Sequence, residues 1–385
     1  MKLVKPKSGR EQTDAIKHLA GEVSEKDTER FFQVTSTELS DRQKNNITTP
    51  KATYPRQRAI MAVHWHPEFV PLDLVSRRIS ALYPNIEEQL IIPTQHNQIM
   101  AYGDYSGVEV DCYSKGFERK VQLLLHFENK KVEHASVLKS LLTYTFRYRS
   151  SQLFEFIHTI TSPVEERLEQ AATTTGASPE IISFIRTVVG KVEKLLKKHQ
   201  DDLEPASLKN KLLRNYVDTY RSEFGHDFIN RAQNFLQAVK MTVKENFPLT
   251  YFYRTSEVIE EARSLGAGIV IPHPEQFWPI LLADYDVDGY EVWNPQSSEY
   301  TDFLISVVTR RNKQPGLSHK KLLIFMGDDT HMGEVLKDAS EQDPAKASRE
   351  IGFQPLWEDP EIRKKLIKAD MQRPRIIKEY KARLA

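Results

Sequence analysis

The sequence predicts an α/β fold, a parallel β/α barrel interrupted by a large helical insertion. Short, continuously apolar runs recur along the chain, helical patterns lie between several of them, and histidines with acidic companions collect where the runs end. Continuous apolar runs are the pattern of strands covered on both faces, and a helix feeding a strand is the unit of β/α folds. A chain of 385 residues has room for one barrel of up to ~250 residues together with an insertion.

In chain order, residues 1–57 are polar, rich in Lys and Glu, and hold a turn-like Asn-Asn-Ile-Thr-Thr-Pro run, so they read as a polar N-terminal arm. Residues 58–127 form the first part of the barrel, with the runs AIMAVHWH (59–66), LIIPTQH (90–96), GVEVDCY (107–113) and VQLLLHF (121–127). Residues 128–247 differ in kind. There Ser178-Pro179-Glu180 opens a helix whose Ile181, Phe184, Ile185, Val188, Val189, Val192, Leu195 and Leu196 make one apolar stripe, marking a helical insertion large enough for its own subdomain. Residues 248–340 resume the barrel. Ser256 is the expected N-cap of a helix through Val258, Ile259, Ala262 and Leu265, and Gly266 stops it before AGIVIPHP (267–274). YEVWNP (290–295) and KLLIFMGDDTH (321–331) follow, and residues 341–385 read as a C-terminal helical tail.

Lys and Arg nearly balance Asp and Glu, with a net charge of +1 and 28% charged residues. Recognition of nucleic acid or a membrane surface by bulk charge is therefore not expected, although a local basic groove stays open. Cys112 is the single cysteine, which excludes an intramolecular disulfide and fits a reducing compartment. The opening MKLVKPKSGREQTD has no apolar signal-peptide core, and no run approaches the ~18 apolar residues of a membrane span, so a cytoplasmic, soluble protein is expected.

Of twelve histidines, His64, His66, His96, His126, His273 and His331 stand at or just beyond the ends of apolar runs, accompanied by Glu109 and Asp329. In a parallel barrel the carboxy-terminal strand ends converge on one face, so residues far apart in sequence meet there. Imidazoles with carboxylates are the usual ligands of zinc, manganese or iron. His64 and His66 alternate along a strand and so point to the same face, as do Asp329 and His331. His18, His134, His158, His199, His226 and His319 lie outside this pattern and read as ordinary surface or helix residues.

The order HWH, PTQHN, GVEV, LLLHF, EVIEEARSLGAGIVIPHP, GYEVWNP and GDDTH resembles the polymerase and histidinol phosphatase (PHP) superfamily. The resemblance implies a distorted seven-stranded, TIM-like (β/α)7 barrel with two or three divalent metal ions, and phosphoesterase activity by a metal-activated hydroxide. It implies that His64 and His66 open the ligand set, that Glu109 and Asp329 complete the shell of that ion, and that Glu109 bridges to a second ion held by His126 and His273. His96 and His331 would hold a third ion. Members place a further Asp or His where this chain has Pro71 and Leu72, which leaves Glu68 and Asp73 as the nearest candidates for that ligand. Glu109, Asp329 and His331 would act at the reacting centre.

The ester is a phosphomonoester or a nucleic-acid phosphodiester. Arg254, Arg310 and Arg311 are candidates to steer phosphate, and Trp65, Trp278, Trp293 and Asn294 lie near the expected mouth, with Trp65 and Asn294 as candidate substrate contacts. Glu291 and Asn294 also suit the orienting of a ligand histidine. Cys112 sits in a strand pattern and reads as core packing. Two other readings compete. An amidohydrolase also opens on His-X-His, but typically carries a bridging lysine where this chain has His126; alternatively the barrel is a scaffold whose helical insertion binds a protein partner.

Overall fold

The computed structural model describes residues 19, 21–314, 320–337 and 342–385. His18 and His319 lie outside the described residues. The chain divides into two compact units, Met1–Glu38 with Arg147–Pro248, and Leu39–Phe146 with Leu249–Ala385.

The first unit is helical. The stripe from Ile181 to Leu196 lies on the helix Pro179–His199 and is buried throughout. It packs with Leu212, Leu213, Tyr216, Val217 and the helix His226–Glu245, which contributes Phe235, Leu236 and Val239. Phe31, from the helix Glu25–Thr35 within the polar arm, completes this core. That helix starts in a capping box in which the Ser24 hydroxyl accepts from the Asp27 amide and the Asp27 carboxylate accepts in return from the Ser24 amide.

The second unit holds the strands. These are β1 (Ala59–Ala62), β2 (Trp65–His66), β3 (Glu88–Ile91), β4 (Met100–Tyr102), β5 (Tyr105–Ser114), β6 (Arg119–Glu128), β7 (Gly268–Ile271), β8 (Gly289–Trp293), β9 (Leu323–Met326) and β10 (Thr330–His331). All seven apolar runs contain strands, but the expected (β/α)7 barrel is not formed. Among the described residues the strands make a six-stranded sheet in the order β4-β5-β6-β7-β8-β9 and two separate parallel pairs, β1-β3 and β10-β2, with no closed ring. The sheet is mixed, antiparallel from β4 to β7 and parallel from β7 to β9.

The β5–β6 hairpin is the physical cause. Only residues 115–118 join its strands, whereas a parallel crossover needs a dozen or more. The apolar character that suggested parallel strands reports burial on both faces and not direction: Val108, Val110, Leu123, Leu124 and Leu125 all lie in the main core. Beyond the hairpin, β/α connections do occur. The helix Thr255–Ser264 feeds β7 and Thr301–Arg311 links β8 to β9. The first of these begins two residues earlier than its pattern indicated, so Ser256 lies inside it and Arg254 stands at the N-cap. Among the described residues no helix is long and apolar enough to cross a membrane.

Candidate metal centre

The short parallel pair β2-β10 sets His331 beside His66. Alternation along the strand then turns His64 and His66 to one side and Trp65 to the other, into a core with Ile60, Val75 and Met332. The Asp329 amide donates to the His64 carbonyl at 2.9 Å, tying the Asp328-Asp329 turn to the same strand. On the other flank, Glu109 of β5 is bridged to the 95–97 segment: its amide donates to Gln95 O (3.2 Å) and its carbonyl accepts from the Asn97 amide (2.7 Å), which sets His96 against Glu109. His273 follows β7, and Glu291 lies on β8.

Three overlapping groups result, each with one ligand atom per residue within 4.8 Å of the others: His64, His66 and Asp329; His64, Glu109 and His273; and His66, His96 and His331. The His66 ring lies close to parallel with those of His96 and His331, with centroids 4.5 and 4.3 Å away, and the latter two centroids are 6.1 Å apart. Asp329 Oδ1 lies 3.3 Å from His66 Nε2, 3.5 Å from His331 Nε2 and 3.7 Å from His64 Nε2. Glu109 Oε1 lies 3.6 Å from His273 Nε2 and 3.9 Å from His64 Nε2, and Glu109 Oε2 is 2.5 Å from His96 Nδ1 without hydrogen-bond geometry. The side chains of His64, His66 and Glu109 are 1% exposed, whereas His96 and His331 are 22% and 27% exposed, so the centre opens on their side.

The electrostatics divide these residues sharply. Burial opposes a charge on His64, but Glu291, Asp329 and Glu109 outweigh it and carry its pKa up to about 10. Burial, with His331 and His96 close by, drives His66 down to about 3, leaving it a neutral imidazole fit to act as a ligand. Burial alone would raise the carboxyl of Glu109, yet His96 and His273 hold it well below its usual value; His331 and His66 do the same for Asp329. Burial works against a charge on His273 and His331, but Glu109 and Glu291 raise the first, and Asp329 and Glu68 the second.

This donor set fits a divalent first-row ion. His64 Nδ1 is committed to Glu291 Oε2 at 2.6 Å, while its Nε2, facing the cluster, is buried with no hydrogen-bond partner. Glu109 Oε2, His66 Nδ1 and His273 Nδ1 are likewise buried without one. Unpartnered buried polar atoms are costly, and a cation beside them accounts for His64 Nε2 and Glu109 Oε2. With the histidines neutral, as metal ligands must be, the buried carboxylates of Glu109, Glu291 and Asp329 outnumber the buried guanidinium of Arg349, and a cation would balance them. Glu291 also accepts from Asn294 Nδ2 (3.0 Å), which makes it a fixed carboxylate partner behind a histidine, as ligand histidines commonly have.

Several expected residues stand elsewhere. His126 is not in the cluster: its Nδ1 pairs with the Tyr380 hydroxyl at 2.7 Å and its Nε2 with the Val63 carbonyl at 2.9 Å. Because β6 runs antiparallel to β7, the end carrying His126 pairs with Gly268 at the start of β7, not with the end that leads to His273. Glu68 reaches the rim, 3.5 Å from His331 Nδ1, whereas Asp73 is exposed and pairs with Arg77 one helical turn on. Trp65 is fully buried and Asn294 is buried against Glu291, so neither lines an open mouth as a substrate contact would. Arg254 is exposed at a helix start, Arg310 is exposed, and Arg311 is turned to Tyr290 and Asp284. Trp293 is buried, and Trp278 packs edge-on against Tyr300 and Phe303. Cys112 is a core residue whose thiol burial pushes up to about 12.

Two residues at the centre escaped the sequence reading. Gln296 Nε2 and Arg349 Nη1 each donate to Asp329 Oδ2 at 2.8 Å. Gln296 follows Asn294 closely and could have been drawn in with it, but nothing in the local pattern of the tail marks Arg349.

Fold and site together define a helix-rich chain with a mixed six-stranded sheet and a buried histidine–carboxylate centre whose donors suit a divalent metal. No family model matches the sequence, and no curated protein matches it. Among solved structures, a "putative metal-dependent phosphoesterase" from Bifidobacterium adolescentis aligns with a TM-score of 0.41 and 14% identity, over 82% of this chain and 97% of that one.

Proposed function

We propose that the chain is a metal-dependent phosphoesterase whose centre is built from His64, His66, His96, Glu109, His273, Asp329 and His331. The observation that carries this reading is the overlap of three ligand groups through His64 and His66 in one buried cluster. Adjacent cation positions suit a phosphate ester, whose reaction spreads charge over several oxygens.

When bound, divalent ions supply Lewis acidity, lowering the pKa of water from ~15.7 towards ~7 and drawing charge from phosphoryl oxygens. The chain's residues supply the rest. Glu291 fixes the ring of His64 through Nδ1 and leaves Nε2 for the ion. Glu109 presents its carboxylate to His64, His96 and His273 from the floor of the site. His96 and His331, on the open side, stand where an ester would approach, and Glu68 beside His331 Nδ1 is placed to hold a proton there.

The test is elemental analysis of the purified chain together with hydrolysis of a phosphomonoester, a phosphodiester and single-stranded DNA. Bound zinc, manganese or iron and turnover of at least one ester are expected, with both lost in His64→Ala and Asp329→Ala. A chain that binds no transition metal, or variants that keep both metal and activity, would overturn the reading. Among active substrates, a steep fall in affinity with salt would mark the nucleic acid.

A further inference from the structure

Asp329 is held unlike the other carboxylates of the centre. Its φ of 48° places a non-glycine residue in the left-handed region, a strained conformation that surrounding contacts must offset. Arg349, buried and reaching in from the C-terminal tail, donates Nη1 both to the Asp329 carbonyl (3.0 Å) and to Oδ2 (2.8 Å). Gln296 Nε2 donates to the same Oδ2 at 2.8 Å. Oδ2 is thereby committed to two donors, and Oδ1 is left to face the Nε2 atoms of His66, His331 and His64.

Arg349 is itself anchored. Its Nε donates to Ala345 O at 3.3 Å. Next along, Glu350 accepts from Arg78 Nε at 2.9 Å, and the Tyr83 hydroxyl donates to Ile351 O at 2.8 Å. The Gly352 amide (2.9 Å) and Gln354 Nε2 (3.3 Å) both donate to Asp328 Oδ2, and Gln354 Nε2 also donates to Met61 O at 2.8 Å. Residues 349–354 thus run as a strap across the Asp328-Asp329 turn, bonded to it at both aspartates and to its surroundings at each end.

We infer that Arg349 and Gln296 are positioning residues that hold Asp329 as a single-oxygen metal ligand, and that the strap at 349–354 is a working part of the centre. This rests on the metal reading but not on the reaction assigned to it. A carboxylate with both oxygens free can bind an ion through either or both and can swing. With Oδ2 bonded to Arg349 and Gln296, only Oδ1 is presented, in one direction. Arginine suits the role because a single Nη carries two hydrogens, one for each Asp329 acceptor, on a guanidinium that keeps its charge when buried.

The experiment is cobalt(II) titration of the full chain, followed by visible absorption and elemental analysis, for wild type, Arg349→Lys, Arg349→Met and Gln296→Ala, with thermal unfolding run in parallel. Arg349→Met and Gln296→Ala are expected to weaken cobalt binding by about ten- to a hundredfold and to change the visible band, because Asp329 gains freedom to bind through both oxygens. Arg349→Lys, which keeps charge and donors, is expected to restore most of the affinity and the band. If Arg349→Met does not fold, Gln296→Ala decides. Folded variants with wild-type affinity and spectrum would overturn the inference. A wild-type chain that binds no cobalt would overturn the metal reading and this inference together, whereas cobalt binding without ester hydrolysis would remove only the reaction assigned.

Discussion

Gly327 lies immediately after β9, against Glu291. A Cβ added there would stand 2.1 Å from Glu291 Oε2, 2.5 Å from Cδ and 2.9 Å from Oε1. Ordinary contacts begin near 3.4 Å, so Gly327→Ala requires the carboxylate to retreat by about 1 Å or more, enough to break a hydrogen bond. Oε2 is the atom bonded to His64 Nδ1 at 2.6 Å, and Oε1 is held by Asn294 Nδ2 at 3.0 Å and the His273 amide at 3.4 Å. Glu291 is 1% exposed, so its carboxylate cannot retreat into bulk solvent. A charge-assisted hydrogen bond of this kind contributes about 1.5 to 3 kcal/mol. Loss of a carboxylate behind a ligand histidine weakens metal binding by about ten- to a hundredfold, or ~1.4 to ~2.7 kcal/mol. The two magnitudes agree, so Gly327→Ala is expected to weaken metal binding by that factor in a chelator-competition assay. In a Glu291→Ala background the same substitution should cost little more, because the atoms it strikes are gone. Wild-type affinity in Gly327→Ala, or penalties that add in full in the double variant, would refute the reasoning.

Asp27 offers a test of the helical unit. Its Oδ2 accepts from Lys191 Nζ (2.8 Å) and the Ser24 amide (3.0 Å), and its Oδ1 from the Tyr220 hydroxyl (2.8 Å). Asp27→Asn leaves the buried Lys191 ammonium uncompensated, and chemical denaturation should register a loss of about 3 to 5 kcal/mol. Burial would raise the Asp27 pKa, but Lys191 and Ser24 outweigh it and hold it below the usual range. The ionised form therefore stabilises the fold fully above pH ~4 and loses that contribution as pH falls through the lower folded value, so the gap between wild type and Asp27→Asn should narrow in acid. A gap that stayed constant from pH 7 down to pH 3 would contradict this. For His126, replacement by Phe should leave the metal stoichiometry unchanged while costing about 1 to 3 kcal/mol in thermal unfolding, because the Tyr380 hydroxyl and Val63 carbonyl lose their partner. Loss of a whole metal equivalent would return His126 to the ligand set.

Strand positions were legible because burial writes itself into residue type: each of the seven apolar runs contains a strand, and the stripe on Pro179–His199 faces a core. The two-residue period likewise made the common facing of His64 and His66 readable. Strand direction was not carried by that signal. The short 115–118 connection was the available clue to the hairpin, and taking β5 and β6 as parallel produced both the barrel and the placement of His126. The choice between Glu68 and Asp73 turned on the same distinction. Both are acidic residues shortly after His66, but Asp73 falls in the first turn of an exposed helix face while Glu68, at a φ of 55°, turns back towards His331.

What the sequence determined by itself was therefore the chemical inventory and its local phase: which residues could bind metal, and on which side of a strand or helix each would lie. Tertiary structure alone decided which of them meet. The antiparallel course of β6 withdrew His126 and gave it to Tyr380, the parallel pair β2-β10 set His331 on His66, and a strap from the C-terminal tail carried Arg349 to Asp329. The physical reason is that periodicity constrains only neighbours within a few residues, whereas the charge, orientation and unpartnered atoms of this centre depend on contacts between segments up to hundreds of residues apart.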